Sequence, residues 1–117
     1  MPLYNSVKPI YLYPGQQLVL FDGTESPASG VKSIAFERAP THDSLPSPMV
    51  FTVVFPSAPT ATLQIQASND DVDANYQVVQ SIPTQQGYYS DQGQFRYYRL
   101  DLSAYTSGGM PKVICQR

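Results

Sequence analysis

The sequence has a single cysteine, a single histidine and no tryptophan. With only Cys115 available, an internal disulfide is excluded. Cys115 lies in a run where apolar and polar residues alternate, which favours a small buried side chain over a reactive thiol. His42 is followed by Asp43 and Ser44, but sequence neighbours do not make a catalytic triad, and zinc binding needs further ligands. We therefore expect a protein that is not an enzyme and that holds no cofactor.

Charged residues are also scarce. They make up 14% of the chain, against about 25% in typical domains, and the formal net charge is -2. No basic run or Lys/Arg stripe is present, so we expect no nucleic-acid partner. The low charge is typical of a surface covered in part by neighbouring proteins, although an ordinary neutral β-domain has the same composition.

Long apolar runs are absent as well. No window approaches the roughly 18 apolar residues that a membrane helix needs, so we expect no membrane association. The N-terminus reads Met-Pro-Leu-Tyr-Asn and lacks the basic head and apolar core of a secretion signal. We therefore expect the protein to be made in the cytoplasm.

The length of 117 residues predicts one domain, and 11 prolines and 9 tyrosines suit short strands joined by loops. Residues 1–15 are predicted to be an extended N-terminal arm or edge strand, and residues 16–117 a β-sandwich domain, because prolines keep the first segment out of a helix. Two interpretations of this segment stay open. It either lays tyrosines on a neighbouring subunit or packs as a first strand on its own sandwich.

The stretch from Leu63 to Val78 organises the prediction. Leu63, Ile65 and Ala67 alternate with polar residues, which is the period of a half-buried strand. The polar loop at residues 68–71 has side chains that can bond their own backbone. A second alternating run begins at Tyr76 and includes Val78. The unit is therefore a strand, an acidic loop and a returning strand.

Seven or eight strands at this spacing predict an all-β fold, a single antiparallel β-sandwich of jelly-roll or discoidin-like type. Residues 49–55 are apolar except for Thr52, which favours a central strand covered on both faces. Residues 39–48 and 83–93 are predicted loops, and one helical turn is conceivable at 103–106. The predicted strands comprise residues 16–21, 31–38, 49–55, 62–67, 76–82, 95–102 and 112–117, with a further short edge strand possible near Ile10 and Leu12.

The acidic loop is the one candidate for a metal site. Asp71, Asp73 and Asn75 match the opening of an EF-hand calcium loop, but Tyr76 stands where its glycine belongs and Ile82 where its glutamate belongs. A different calcium site is the weaker alternative to a simple solvated loop. Its ligands would be Asp70, Asp71 and Asp73.

Tyrosines are the remaining candidate residues for binding a sugar or a protein partner. Tyr88, Tyr89, Tyr97, Tyr98 and Tyr105, with Gln85, Gln86 and Gln92, could form a sugar-binding face. The same residue types suit core packing and subunit contacts, which we favour because no Trp and only five Phe are available for the core. The predicted partner-contact residues are Tyr4, Tyr11, Tyr13, Tyr88 and Tyr89.

Two segments carry a family resemblance. Residues 65–70 with Tyr76 and Val78 resemble a strand, Ser-Asn-Asp, aromatic, valine hairpin of discoidin-like and phage-virion β-sandwiches. Residues 95–102, Phe-Arg-Tyr-Tyr-Arg-Leu-Asp-Leu, look like a later strand of those domains. The likeness covers about half of the chain, from Thr62 onward. The chain departs from sugar-binding discoidin relatives in lacking tryptophan, their disulfide cysteines and their length.

The resemblance implies a small tailed-bacteriophage virion protein, either a capsid decoration (cement) protein or a small tail or neck component. Its expected location is the virion, and its expected partners are the major capsid protein, other virion proteins and copies of itself. It would act through the N-terminal arm and the loops at residues 39–48 and 83–93. The alternative is a carbohydrate-binding or receptor-binding module of a phage tail.

Overall fold

The computed structural model describes residues 10–39, 48–56, 60–82, 86–91, 95–107 and 109–117. In these ranges the only helical element is a 3-10 helix at Asp73–Asn75. Seven of the described strands have five or more residues, and six of these seven lie where the alternating pattern predicts a strand; β8 is the exception. The strands are β1 (Tyr11–Leu12), β2 (Gln17–Asp22), β3 (Val31–Lys32), β4 (Phe36–Arg38), β5 (Met49–Val54), β6 (Thr60–Ser68), β7 (Gln77–Ile82), β8 (Gln86–Asp91), β9 (Tyr97–Ser107) and β10 (Lys112–Gln116).

Two sheets pack face to face, which confirms the all-β sandwich. Sheet A has the order β1-β4-β9-β6-β7, with β3 also paired to β9. Sheet B has the order β2-β10-β5-β8. Every pairing is antiparallel except that of β1 with β4, which is parallel.

The centre of sheet A is the β6–β9 pair. In register, Leu63 faces Leu102, Ile65 faces Leu100 and Ala67 faces Tyr98. All six side chains are buried, which confirms the predicted alternation of both strands. Burying each large apolar side chain contributes roughly 1.5–3 kcal/mol, so this pair forms much of the core. The hairpin from β6 to β7 also forms as predicted.

Sheet B supplies the other half of the core through β5 and β10. The inward residues of β5 are Met49, Phe51 and Val53, all fully buried. In β2 the residues Val19 and Phe21 do not share one face, although they are two positions apart in the strand. The register with β10 shifts by one residue there, so that Phe21 turns inward and Val19 stays 47% exposed. A bulge of this kind adds one unpaired residue to one strand and resets which side chains point inward.

Three local predictions also need correction. The predicted loop at 83–93 contains β8, which pairs along its whole length with β5. The conceivable helical turn at 103–106 is the continuation of β9, where Ala104 has a φ of 52°. The predicted strand at 31–38 is divided into β3 and β4. Between them the hydroxyl of Ser33 accepts a hydrogen bond from the backbone N of Leu100 at 2.8 Å, which takes the place of a ladder contact.

Residues 10–12 belong to the sandwich. Leu12 is only 2% exposed, and the backbone N of Glu37 donates to the carbonyl of Ile10 at 2.7 Å. The guanidinium of Arg117 donates to the carbonyls of Leu12 and Ala39, so the last residue fastens β1 to the domain. β1 is thus an edge strand, whereas residues 1–9 of the predicted arm lie outside the described residues.

Candidate interaction surfaces

The outer face of sheet B carries an uncharged row that crosses all four strands. Ile114 pairs with Val19 on one side and with Thr52 on the other, and Thr52 pairs in turn with Tyr88. On either side of this row, β5 adds the apolar side chains of Val50 and Val54. We call this surface the sheet B face, and it consists of Val19, Val50, Thr52, Val54, Tyr88 and Ile114.

The sheet B face corrects the prediction that β5 is covered on both faces. Its inward residues are fully buried, but Val54 is 45% exposed and Thr52 is half-buried. A two-layer sandwich covers only one face of each sheet, so a strand that is apolar on both faces leaves one of them open. Water-facing positions of an antiparallel sheet are usually polar, so the composition of β5 favours contact with another surface.

A pocket of about 290 Å³ indents this surface beside Tyr88. It is lined by Thr52, Val53, Val54, Gly87 and Tyr88. Tyr88 is 79% exposed and is the most exposed large hydrophobic side chain among the described residues. Tyrosines and pockets of this kind are frequent where protein–protein interfaces have their strongest contacts.

The outer face of sheet A is different, because it is built around an arginine. The Nε of Arg99 donates to Oε1 of Gln66 at 2.8 Å, and its Nη1 donates to Oδ1 of Asp73 at 2.7 Å. The guanidinium also lies 4.0 Å from the ring centroid of Tyr76. The hydrogen bond from Arg99 holds the pKa of Asp73 below its ordinary value of 3.8. These contacts fasten the β6–β7 loop to the sheet.

Asp70 and Asp71, the other two candidates for a metal ligand, accept hydrogen bonds within the same loop. Asp70 accepts from the Ser68 hydroxyl at 2.9 Å and from Asn75 Nδ2 at 3.0 and 3.1 Å. Asp71 accepts from the hydroxyl of Tyr76 at 2.8 Å. Across the described residues no three acidic, histidine or cysteine side chains are grouped to hold a metal ion. The carboxylates therefore act as supports of the hairpin.

The predicted partner-contact tyrosines lie on different surfaces. Tyr11 and Tyr13 are 42% and 49% exposed at the β1 edge of sheet A, with ring centroids 6.2 Å apart. Tyr88 stands on the sheet B face, whereas Tyr89, the next residue of β8, points inward and packs against the core. Tyr4 lies outside the described residues. Strand alternation is what separates Tyr88 from Tyr89.

The residues of the alternative sugar-binding face are dispersed for the same reason. Tyr98 is fully buried and Tyr105 packs against the core. Tyr97 lies on the outer face of sheet A, where the guanidinium of Arg96 is 5.3 Å from its ring centroid. Of the glutamines, Gln86 is in β8, and Gln85 and Gln92 fall outside the described ranges.

Arg96 links this aromatic region to a buried carboxylate. Its Nε donates to Oε2 of Glu37 at 2.5 Å, and Glu37 is only 4% exposed. The hydrogen bond to Glu37 raises the pKa of Arg96, and Tyr11 adds a small contribution in the same direction. The β1 edge of sheet A therefore carries Tyr11 and Tyr97 beside one ion pair, with Tyr13 next to Tyr11.

Cys115, Glu25 and Glu37 each have a structural role in the described part of the chain. Cys115 is buried, as predicted, and burial raises the pKa of its thiol to about 12. Glu25 accepts hydrogen bonds from the backbone of Asp22 and Gly23, whereas Glu37 binds Arg96, so the two glutamates serve separate purposes. His42 lies outside the described residues. Among the residues described, no helix has the length and apolarity to cross a membrane.

No family model, no curated protein and no solved structure matches the chain. The functional argument therefore depends on the surfaces of the domain. The sheet B face was missed by sequence reasoning, although its signal was present in the apolar residues at both faces of β5. The contact of Arg99 with Gln66 had no sequence signal, because it follows from the register of β6 with β9.

Proposed function

We propose that the protein is a non-enzymatic structural protein of a tailed-bacteriophage virion, and that it decorates and cements the capsid by protein–protein contacts. The proposal that the protein belongs to a phage virion is supported by the resemblance of the β6–β7 hairpin and of β9 to virion β-sandwiches. The observation that carries the contact mechanism is the sheet B face, a largely apolar surface with an exposed tyrosine beside a pocket and with Lys112 next to Val54 at its border. A cement protein binds the assembled lattice in preference to free subunits and so stabilises the shell by mass action.

The area of the sheet B face is small for a stable complex of two proteins but sufficient for one of several contacts in a capsid lattice. The four strands of sheet B have five or six residues each, so at about 4.8 Å between strands and about 3.3 Å per residue the whole outer face covers roughly 300–400 Å². The sheet B face is part of this area. A stable interface of standard size buries about 800 Å² per partner. One such contact is therefore weak. A copy that makes further contacts on the same shell binds more tightly, because several contacts hold it at once.

Binding to purified phage heads tests the proposal. Thr52→Lys places a charge in the middle of the sheet B face, and Ala74→Lys places the same charge at an exposed position of the β6–β7 loop. We expect the Thr52 variant to lose cosedimentation with heads and the Ala74 variant to keep it, with both melting as cooperatively as the parent protein. Equal binding of the two variants would contradict the assignment of this surface.

A second candidate function is carbohydrate binding by a tail structure, and one observation favours it. Tyr11 and Tyr97 flank Glu37 of the Arg96–Glu37 ion pair, and the ring of Tyr13 lies 6.2 Å from that of Tyr11 at the same edge. Flat aromatic rings stack on sugar rings, and charged groups bond hydroxyls. A glycan screen in which Tyr13→Ala abolishes a specific signal, while Tyr88→Ala keeps it, would support this function over capsid binding.

A further inference from the structure

The outer face of sheet B carries one positive charge next to its pocket. Lys112, the first residue of β10, pairs in register with Val54 of β5, and Val54 lines the pocket beside Tyr88. Successive residues of a strand point to opposite faces of the sheet. Because Val113 is fully buried and Lys112 is exposed, the ammonium group of Lys112 lies on the same outer face as the pocket.

No carboxylate of the described residues forms a salt bridge with Lys112. Both salt bridges in the described part of the chain involve residues of sheet A and its β6–β7 loop. Asp22 stands opposite Lys112 on β2, but its Oδ1 accepts hydrogen bonds from the backbone N of Thr24, at 2.9 Å, and from the hydroxyl of the same residue. The charge of Lys112 can therefore pair with a group of another molecule.

The pocket beside this charge has room for one aromatic ring. Its volume is about 290 Å³, and an apolar cavity of about 150 Å³ already binds benzene. Val54 and the ring of Tyr88 supply apolar walls. A ring that enters the pocket can pack edge-to-face against Tyr88, and its removal from water favours binding.

The distance between the pocket and the charge matches a spacing in an extended chain. The pocket is lined by residues of β5 and β8, and Lys112 lies on β10, the next strand of the sheet. At about 4.8 Å between strands, the middle of the pocket is roughly 7 Å from β10. In an extended segment, two residues separated by one other residue point to the same side and lie about 6.6 Å apart. A segment that crosses the strands of sheet B can therefore reach both places with two side chains.

We propose that the sheet B face binds an extended protein segment that presents an aromatic side chain and, two positions away, a carboxylate. The ring fills the pocket beside Tyr88, and the aspartate or glutamate pairs with Lys112. This inference rests on the proposed function, since it names the partner chemistry of the same surface. Complementary charges add specificity more than affinity, so the carboxylate selects the partner and the ring supplies most of the buried area.

Peptide binding to the purified protein tests the inference without phage heads. The peptides consist of glycine and serine with one phenylalanine and one glutamate, which are separated by one residue in either chain direction. In the control peptides, lysine replaces the glutamate. The amide signals of Thr52, Val54 and Gly87 report binding in an NMR titration.

We expect the glutamate peptides to bind about tenfold more tightly than the lysine peptides, because the latter place a like charge beside Lys112. Lys112→Gln should remove most of this difference. Equal binding of the two kinds of peptide, or no binding of either, would overturn the proposal.

Charge reversal on the protein shows whether the same contact is made on phage heads. Lys112→Glu and Lys32→Glu make the same change at exposed positions of sheet B and sheet A. We expect Lys112→Glu to weaken binding to heads about tenfold or more and Lys32→Glu to keep it, with both variants melting cooperatively.

The two experiments separate this inference from the proposed function. If Thr52→Lys loses binding to heads while Lys112→Glu binds as the parent does, the partner chemistry is wrong and the proposed function stands. If the parent protein prefers the glutamate peptides but binds no heads, the partner chemistry is supported and the proposed function is contradicted.

Discussion

The hydroxyl of Tyr98 donates a hydrogen bond to Oδ2 of Asp91 at 2.6 Å, and the two residues belong to different sheets. Tyr98 is a fully buried residue of β9, and Asp91 is the last residue of β8. The same hydroxyl accepts a hydrogen bond from the backbone N of Phe95 at 3.2 Å. Burial raises the pKa of Tyr98, so the hydroxyl keeps its proton throughout the physiological range. One side chain thus joins the two layers at the end where β9 begins.

Tyr98→Phe should lower the free energy of unfolding by about 1–3 kcal/mol, because it removes a hydrogen bond to a carboxylate and leaves a backbone donor without its acceptor. Denaturant unfolding followed by circular dichroism measures the change. Tyr88→Phe is the matched control, since its ring is 79% exposed and should tolerate the same deletion. A loss below about 0.5 kcal/mol for Tyr98→Phe, within the usual range of surface substitutions, would show that the intersheet bond contributes little.

Gly109 lies so close to Pro56 that only glycine fits. A Cβ at Gly109 would be 2.5 Å from Cγ of Pro56. Gly109→Ala should therefore destabilise the protein by about 1–3 kcal/mol, the usual cost of overpacking. In a double-mutant cycle, Pro56→Ala removes the opposing atom and should restore much of the loss. Additive effects of the two substitutions would contradict the contact.

Ala104 has the left-handed conformation that glycine adopts at least cost, with a φ of 52°. The strain on a non-glycine residue there is about 1–2 kcal/mol, and glycine regains it at an entropic cost of roughly 0.4–1 kcal/mol. Ala104→Gly should therefore raise the melting temperature or leave it unchanged. Ala74→Gly, in the exposed 3-10 helix, should lower it. Equal destabilisation by both substitutions would mean that Ala104 is not strained.

The Asp73–Arg99 contact should be visible as a pH effect. Because the pKa of Asp73 is lowered on folding, its stabilising contribution is present above the ordinary value of 3.8 and is lost as the pH falls through the folded-state pKa. Arg99→Gln should raise the pKa of Asp73 towards that value, as measured by NMR titration of the carboxyl carbons. Asp22 is the internal control. Its pKa is lowered mainly by hydrogen bonds from Thr24, so it should not move.

The sequence predicted the features that depend on period-two alternation. The buried faces of β6 and β9, the β6–β7 hairpin and the sandwich class are all visible in the spacing of Leu63, Ile65, Leu100 and Leu102. Alternation is a local property of a strand, so the side chains that share a face are the same whichever strands lie beside it. The burial of Cys115 was predicted on the same basis.

Features that depend on register could not be predicted in this way. The bulge beside Val19, the extension of β9 past Ala104 and the contact of Gln66 with Arg99 each require knowledge of which residues face each other across two strands. β8 was missed because glycine and polar residues around Tyr88 and Tyr89 are typical of loops. The open outer face of β5 was missed because a strand that is apolar on both faces predicts that both are covered. The sequence does not show whether the same chain or another protein covers the second face.

Immunogold electron microscopy of phage lysates, with antibody raised against the purified chain, tests the proposed function most directly. A capsid decoration protein predicts gold spread over the surface of the heads. Gold confined to tails or necks would contradict the capsid assignment and favour the receptor-binding alternative. Virions without label, in a lysate that contains the protein, would contradict a structural role in the virion altogether.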